Sequence, residues 1–96
     1  MSISKSDIVE SMAGRDRGRL FFVLDTDGVY ATIADGKIRK LEHPKRKKLK
    51  HLRLAVRSDS SVAEKLRQGD TVLNSELRKD LAIFGQEYYS QNQGGE

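Results

Sequence analysis

The stretch DIVESMAGRDRGRLFFVLDTDGVYATIADG, Asp7 to Gly36, decides how the first half of this chain folds. "DIVESMA" (7–13) alternates, with Val9 and Ser11 on one face and Ile8, Glu10 and Met12 on the other. "RLFFVLD" (19–25) is rich in aromatic and β-branched residues and too short for a helix. Asp27-Gly28 and Asp35-Gly36 bracket "VYATIA", and each pair predicts a two-residue hairpin turn that needs positive φ. "KHLRLAV" (50–56) alternates again, with Leu52, Leu54 and Val56 on one face. Five short strands within about fifty residues, joined by tight turns, predict a small closed or half-closed barrel.

The period changes after Arg57. Ser61 and Glu64 have capping-box spacing, Leu66 follows, and Gly69 is placed to stop the helix. A second helix is expected from Asn74 or Ser75. Its stripe would be Leu73, Leu77, Leu81 and Phe84, with Gly85 as the stop. The expected fold is thus mainly β. Residues 1–57 form the barrel, residues 58–96 are a helical extension of the same domain, and the tail is flexible from about residue 86.

Composition narrows the function classes. The chain has 96 residues, 36% hydrophobic and 33% charged, which suits one polar domain with a modest core. Without cysteine it has neither disulfides nor thiolate metal ligands. No apolar run approaches the ~20 residues of a membrane helix, and the first ten residues lack the apolar core of a secretory signal. A cytoplasmic protein with no membrane partner is expected. Residues 1–57 carry fourteen Lys/Arg against seven Asp/Glu (+7), and residues 58–96 carry four against seven (−3), summing to the net +4. Such asymmetry predicts that the first part meets a polyanion.

Three basic segments lie in that part. Gly14 and Gly18 bracket Arg15, Asp16 and Arg17, a loop whose arginines can fork onto phosphate or stack on bases. Pro44 disfavours helix at His43, so Lys45, Arg46, Lys47, Lys48 and Lys50 are expected on a loop beside the barrel, placed for phosphates. Lys37, Arg39 and Lys40 sit on the adjoining hairpin. At least one of Phe21 and Phe22 belongs to the core. Tyr30 is a core-edge residue or a base stacker, and Tyr88 and Tyr89 lie beyond the final helix, able to pack back on the barrel.

Other chemistries find no support. "DTDG" lacks the later ligands of a calcium loop, and "GRDRG" lacks the Gly-Lys-Ser/Thr ending of a P-loop. His43 and His51 have no third metal ligand nearby in sequence, and no nucleophile–base set can be assembled. The chain therefore reads as non-catalytic, with no cofactor and no metal.

Asp7 to Leu24, with "AGRDRGRLFFVL" at its centre, resembles the KOW motif: a strand, a basic loop with a fixed glycine, and a second apolar strand. Gly18 matches that glycine and Arg17 and Arg19 its basic flanks. The likeness continues through "YATIADGKIRKLEHPKRKKLKHL" to Leu52 and fades after Arg57. In this range the chain is similar to bacterial KOW-domain RNA-binding proteins and to KOW-type large-subunit ribosomal proteins of archaea and eukaryotes. The resemblance implies an SH3-like barrel that binds RNA, above all ribosomal RNA, on the ribosome or its assembly intermediates. The contacting residues would be Arg15, Arg17, Gly18, Arg19, Lys37, Arg39, Lys40, Lys45, Arg46, Lys47, Lys48 and Lys50. A protein-interaction module docking on the transcription or translation machinery stays open beside it, because SH3-like barrels also bind polypeptides.

Overall fold

A computed structural model describes residues 2–93. Five strands form one antiparallel sheet: β1 (Ile8–Ser11), β2 (Leu20–Thr26), β3 (Tyr30–Ala34), β4 (Lys45–Lys48) and β5 (Leu52–Val56). Their spatial order is β4-β3-β2-β1-β5. Two helices follow, α1 (Ser61–Gln68) and α2 (Asn74–Gln93).

Chain length forces this sheet to curl. β4 and β5 are its opposite edges, which a flat sheet would hold about 19 Å apart, four strand spacings. Yet only a 3-10 turn, Leu49–His51, joins them. The four-residue step from Lys48 to Leu52 reaches at most about 14 Å. The sheet must bend until these strand ends meet, although no ladder joins β4 to β5, so it is not closed.

Curling gives the sheet two apolar faces. Inside the curl, Val9, Phe21, Val23, Ala31, Ile33 and Leu52 form one buried cluster, with Ile3 and Leu49 packed against it. On the other face, Ile8, Leu20, Phe22 and Ala34 meet Val62, Ala63 and Leu66 of α1 and Leu77 and Leu81 of α2. Phe21 and Phe22 therefore both belong to the core, one on each side.

β5 departs from simple alternation. Ile8 pairs with Val56 but Val9 with Leu54, so a bulge at Ala55 interrupts the ladder. Leu52 then faces the inner cluster while Val56 packs toward the helices, rather than all three apolar residues sharing one face.

The largest correction concerns the basic run. Lys45–Lys48 is not a loop beside the sheet but its edge strand, paired residue for residue with β3 from Ile33↔Lys45 to Tyr30↔Lys48. Without it, β3 would expose a bare row of backbone donors and acceptors. A lysine-rich strand satisfies that row while discouraging further pairing at the edge. The Asp35-Gly36 turn consequently leads into an irregular connection, residues 35–44, rather than a hairpin strand.

Both Asp-Gly turns work differently from the two-residue form. Positive φ occurs only at the glycines, and the aspartates act through their carboxylates: Asp27 accepts from the Val29 and Tyr30 N–H groups, Asp35 from those of Lys37 and Arg39. At Gly36 a Cβ would run into the Asn74 carbonyl oxygen, so glycine is what lets the start of α2 approach this turn.

The helices also differ from expectation at their ends. The cap of α1 is Ser60, not Ser61, its hydroxyl accepting from the Ala63 N–H at 3.2 Å. Leu73 precedes α2 and is 59% exposed, so the buried stripe begins at Leu77. Gly85 does not end α2. It is buried in mid-helix against Leu20 and Tyr89, and the helix runs on to Gln93. Residues beyond Gly85 gain anchors on the sheet. Phe84 stacks on Tyr88, and the Tyr88 hydroxyl donates to Glu10 at 2.6 Å, while that of Tyr89 donates to the Gly18 carbonyl. Both tyrosines thus pack back, from within the helix. Residues 94–96 of the expected tail lie outside the described residues.

Candidate nucleic-acid interface

On the outer face of the sheet the helices pack on β1, β2 and the Ala34 end of β3, while Arg46 and Lys48 of the edge strand β4 stay exposed, and the basic residues gather along this edge and in the loops at the two ends of the sheet. The β1–β2 loop and the 35–44 connection meet at one end of it. Asp16, isolated among cations in sequence, is the anchor there. It is only 3% exposed, accepts from the Arg39 guanidinium at 3.1 Å, and has the Lys45 ammonium 3.8 Å away. Lys47, 8% exposed, reaches across to donate to the Ala13 carbonyl at 2.6 Å. Burial first, then the nearby positive charge of Lys45, lowers the Lys47 ammonium below the usual lysine range, against the pull of Asp16. Three cations around one carboxylate tie the β1–β2 loop to the 35–44 connection and β4.

Strand alternation sends the other β4 residues outward. Arg46 lies over the Tyr30 ring at 3.8 Å and pairs with Asp27 at 3.0 Å. Tyr30 therefore carries a cation on its face. Lys48 and Lys50 flank the exposed Val29 at the tip of the β2–β3 turn.

The β1–β2 loop presents Arg15 and Arg17 to solvent. Gly18 holds φ of 87°, the left-handed conformation that favours glycine, and its N–H donates to the Ser11 carbonyl at 2.8 Å. A Cβ there would meet nothing within 4 Å, so backbone conformation, not space, selects glycine. Arg19, Lys37 and Lys40 are likewise exposed.

The eleven cations expected to bind thus divide. Arg39, Lys45, Arg46 and Lys47 have protein partners. Arg15, Arg17, Arg19, Lys37, Lys40, Lys48 and Lys50 are exposed and form no ion pair among the described residues. They fall at two places, the β1–β2 loop with the 35–44 connection, and the β2–β3 turn with the end of β4. Two relevant residues escaped sequence reasoning. Asp16 could have been suspected as the lone acid of a basic loop. Arg78 of α2, which donates to the Gly36 carbonyl at 2.6 Å, carries no local signal because its contact spans 42 residues.

Among the described residues no group of three or more His, Cys, Asp or Glu side chains gathers as a metal site, and no helix is long and apolar enough to cross a membrane. No protein-family model matches the chain, and a search of curated proteins finds no match.

Proposed function

We propose that this is a non-catalytic RNA-binding protein of KOW type, acting in the cytoplasm on ribosomal RNA within the ribosome or its assembly intermediates. In this reading the curled sheet is an SH3-like barrel left open between β4 and β5. One observation carries the proposal: seven exposed cations that form no ion pair among the described residues gather at two places, the β1–β2 loop with the 35–44 connection and the β2–β3 turn with the end of β4. Unpaired surface cations repel one another and gain most from a polyanion, whose condensed counterions they release. Lysines at β4 and the turn give phosphate contacts that set position. Arg15 and Arg17, on a loop held by Gly18 and Asp16, offer planar forks suited to structured RNA.

Salt dependence tests this reading. Affinity for a ribosomal RNA hairpin, followed by fluorescence anisotropy, should fall steeply as salt rises. Replacing Lys40, Lys48 and Lys50 together by Ala should make the logarithmic slope shallower by about two to three units, since each phosphate contact contributes about 0.7–0.9. An unchanged slope would reduce these lysines to a solvated face. Partners that survive ribonuclease treatment during copurification would then favour the protein-docking module.

A further inference from the structure

Between the β1–β2 loop, the 35–44 connection and α2 lies an open cleft of about 530 Å³. Its volume falls within the range of roughly 300–1,000 Å³ usual for small-ligand sites. Leu20, Leu81 and Ala82 supply an apolar floor, and Tyr89 an aromatic wall. Arg19, Lys37 and Arg78 converge on it from three separate elements. Asp35 also lines the cleft, but its Oδ1 accepts from the N–H groups of its own turn, so three cations face one carboxylate and the rim remains positive.

The chemistry of this cleft differs from that of the β4 edge. Phosphate alone would satisfy the rim and leave the apolar floor wet. A duplex presents phosphates but keeps its bases stacked inside, so it cannot fill the floor. An unpaired nucleotide can do both, its base against the apolar surface and the aromatic ring, its phosphate among the cations. Tyr89 suits this part. Its hydroxyl donates to the Gly18 carbonyl, and that bond fixes the ring beside the basic loop.

We propose that this cleft takes one unpaired nucleotide of the bound RNA, which makes the protein select RNA carrying a bulge or flipped base over continuous duplex. This rests on the RNA-binding reading above. It adds a site on α2, a helix to which that reading assigns no role.

Two measurements on the full chain test it. In a titration followed by backbone NMR, AMP should shift the amides of Arg19, Lys37, Arg78, Ala82 and Tyr89, and inorganic phosphate should shift them far less. Ala82→Gln, a neutral change at an exposed helical position, fills the floor with a polar chain while leaving the charge unaltered. It should weaken binding to a hairpin with a single-nucleotide bulge by roughly tenfold, the scale of one stacked base. Binding to the same hairpin fully paired should stay within about twofold. Equal losses on both RNAs, no loss on either, or shifts clustered away from the cleft would each overturn the site while leaving the RNA-binding reading intact. An acidic peptide that produces the cleft shifts where AMP does not would also overturn it. If the unmodified protein binds neither hairpin, the function itself is wrong and the site falls with it.

Discussion

Lys47 and Lys48 are neighbours in one strand and face two regions that use positive charge in opposite ways. Lys47 turns toward the Asp16 cluster, where it is almost wholly buried and bonded to the Ala13 carbonyl. Lys48 turns outward beside Tyr30 and Val29 and meets no protein partner among the described residues. In the first region cations serve the fold, tying two connections and an edge strand through one carboxylate. In the second they leave the domain with charge it has not neutralised. A count of basic residues treats both alike. Only burial and pairing separate structural charge from charge available to a ligand.

Asp16→Ala strikes this contrast hardest. Removing the carboxylate leaves Arg39, Lys45 and Lys47 close together without their shared counter-charge. The expected loss is about 2–3 kcal/mol, because a buried ionic partner is removed while the two cations that pair with it, Arg39 and Lys45, are only partly desolvated. Urea denaturation monitored by circular dichroism measures it. Arg15→Ala, next to it in the chain but exposed and unpaired, should change stability by less than about 0.5 kcal/mol. Equal effects from the two would mean that the cluster around Asp16 is no more structural than the open charges.

Legibility in the sequence follows the same division. β1, β2 and β3 could be read because apolar alternation and Asp-Gly turns are local signals. β4 could not, because Lys45–Lys48 contains no apolar residue and becomes a strand only through pairing with β3. Its charge marked it as loop, although charge is also what protects an edge strand. The end of α2 was hidden in a similar way. Gly85 is a stop signal by local rules, and the anchors that override it, Tyr88 on Glu10 and Tyr89 on Gly18, bridge 78 and 71 residues. For the candidate site, the cations were legible in kind and number. Their sorting was not, since the Asp16–Arg39 pair spans 23 residues and the Arg78 contact 42.

Gly18→Val tests the loop that carries the exposed arginines. The φ of 87° would strain any β-branched residue, at about 1–2 kcal/mol for the left-handed conformation. Because a Cβ has open space there, the loss should show no sign of core disruption. It should instead loosen the loop and weaken RNA binding together. Arg15→Ala should weaken binding alone. If Gly18→Val left both stability and binding unchanged, the match to the fixed glycine of the KOW motif would fail at its most diagnostic residue.

The smallest effect concerns Asp27, on the open side of the comparison. Hydrogen bonds from the Tyr30 and Val29 N–H groups, followed by the Arg46 guanidinium, lower its carboxyl from 3.8 to about 2. A carboxyl whose pKa is lower in the folded state stabilises the fold above its unfolded value and loses that contribution as pH falls through the folded one. The window is therefore about pH 4 to 2. Asp27→Asn keeps an oxygen able to accept the two backbone bonds but removes the charge that holds Arg46. Its melting temperature should lie slightly below that of the parent at neutral pH, and the two curves should converge near pH 2. Curves that stay parallel throughout would show that the charge at Asp27 adds nothing to the turn. The same substitution releases Arg46 to join Lys48 on the exposed edge strand, so RNA affinity at low salt should rise rather than fall. A fall would mean that Arg46 serves RNA binding only where Asp27 holds it over Tyr30.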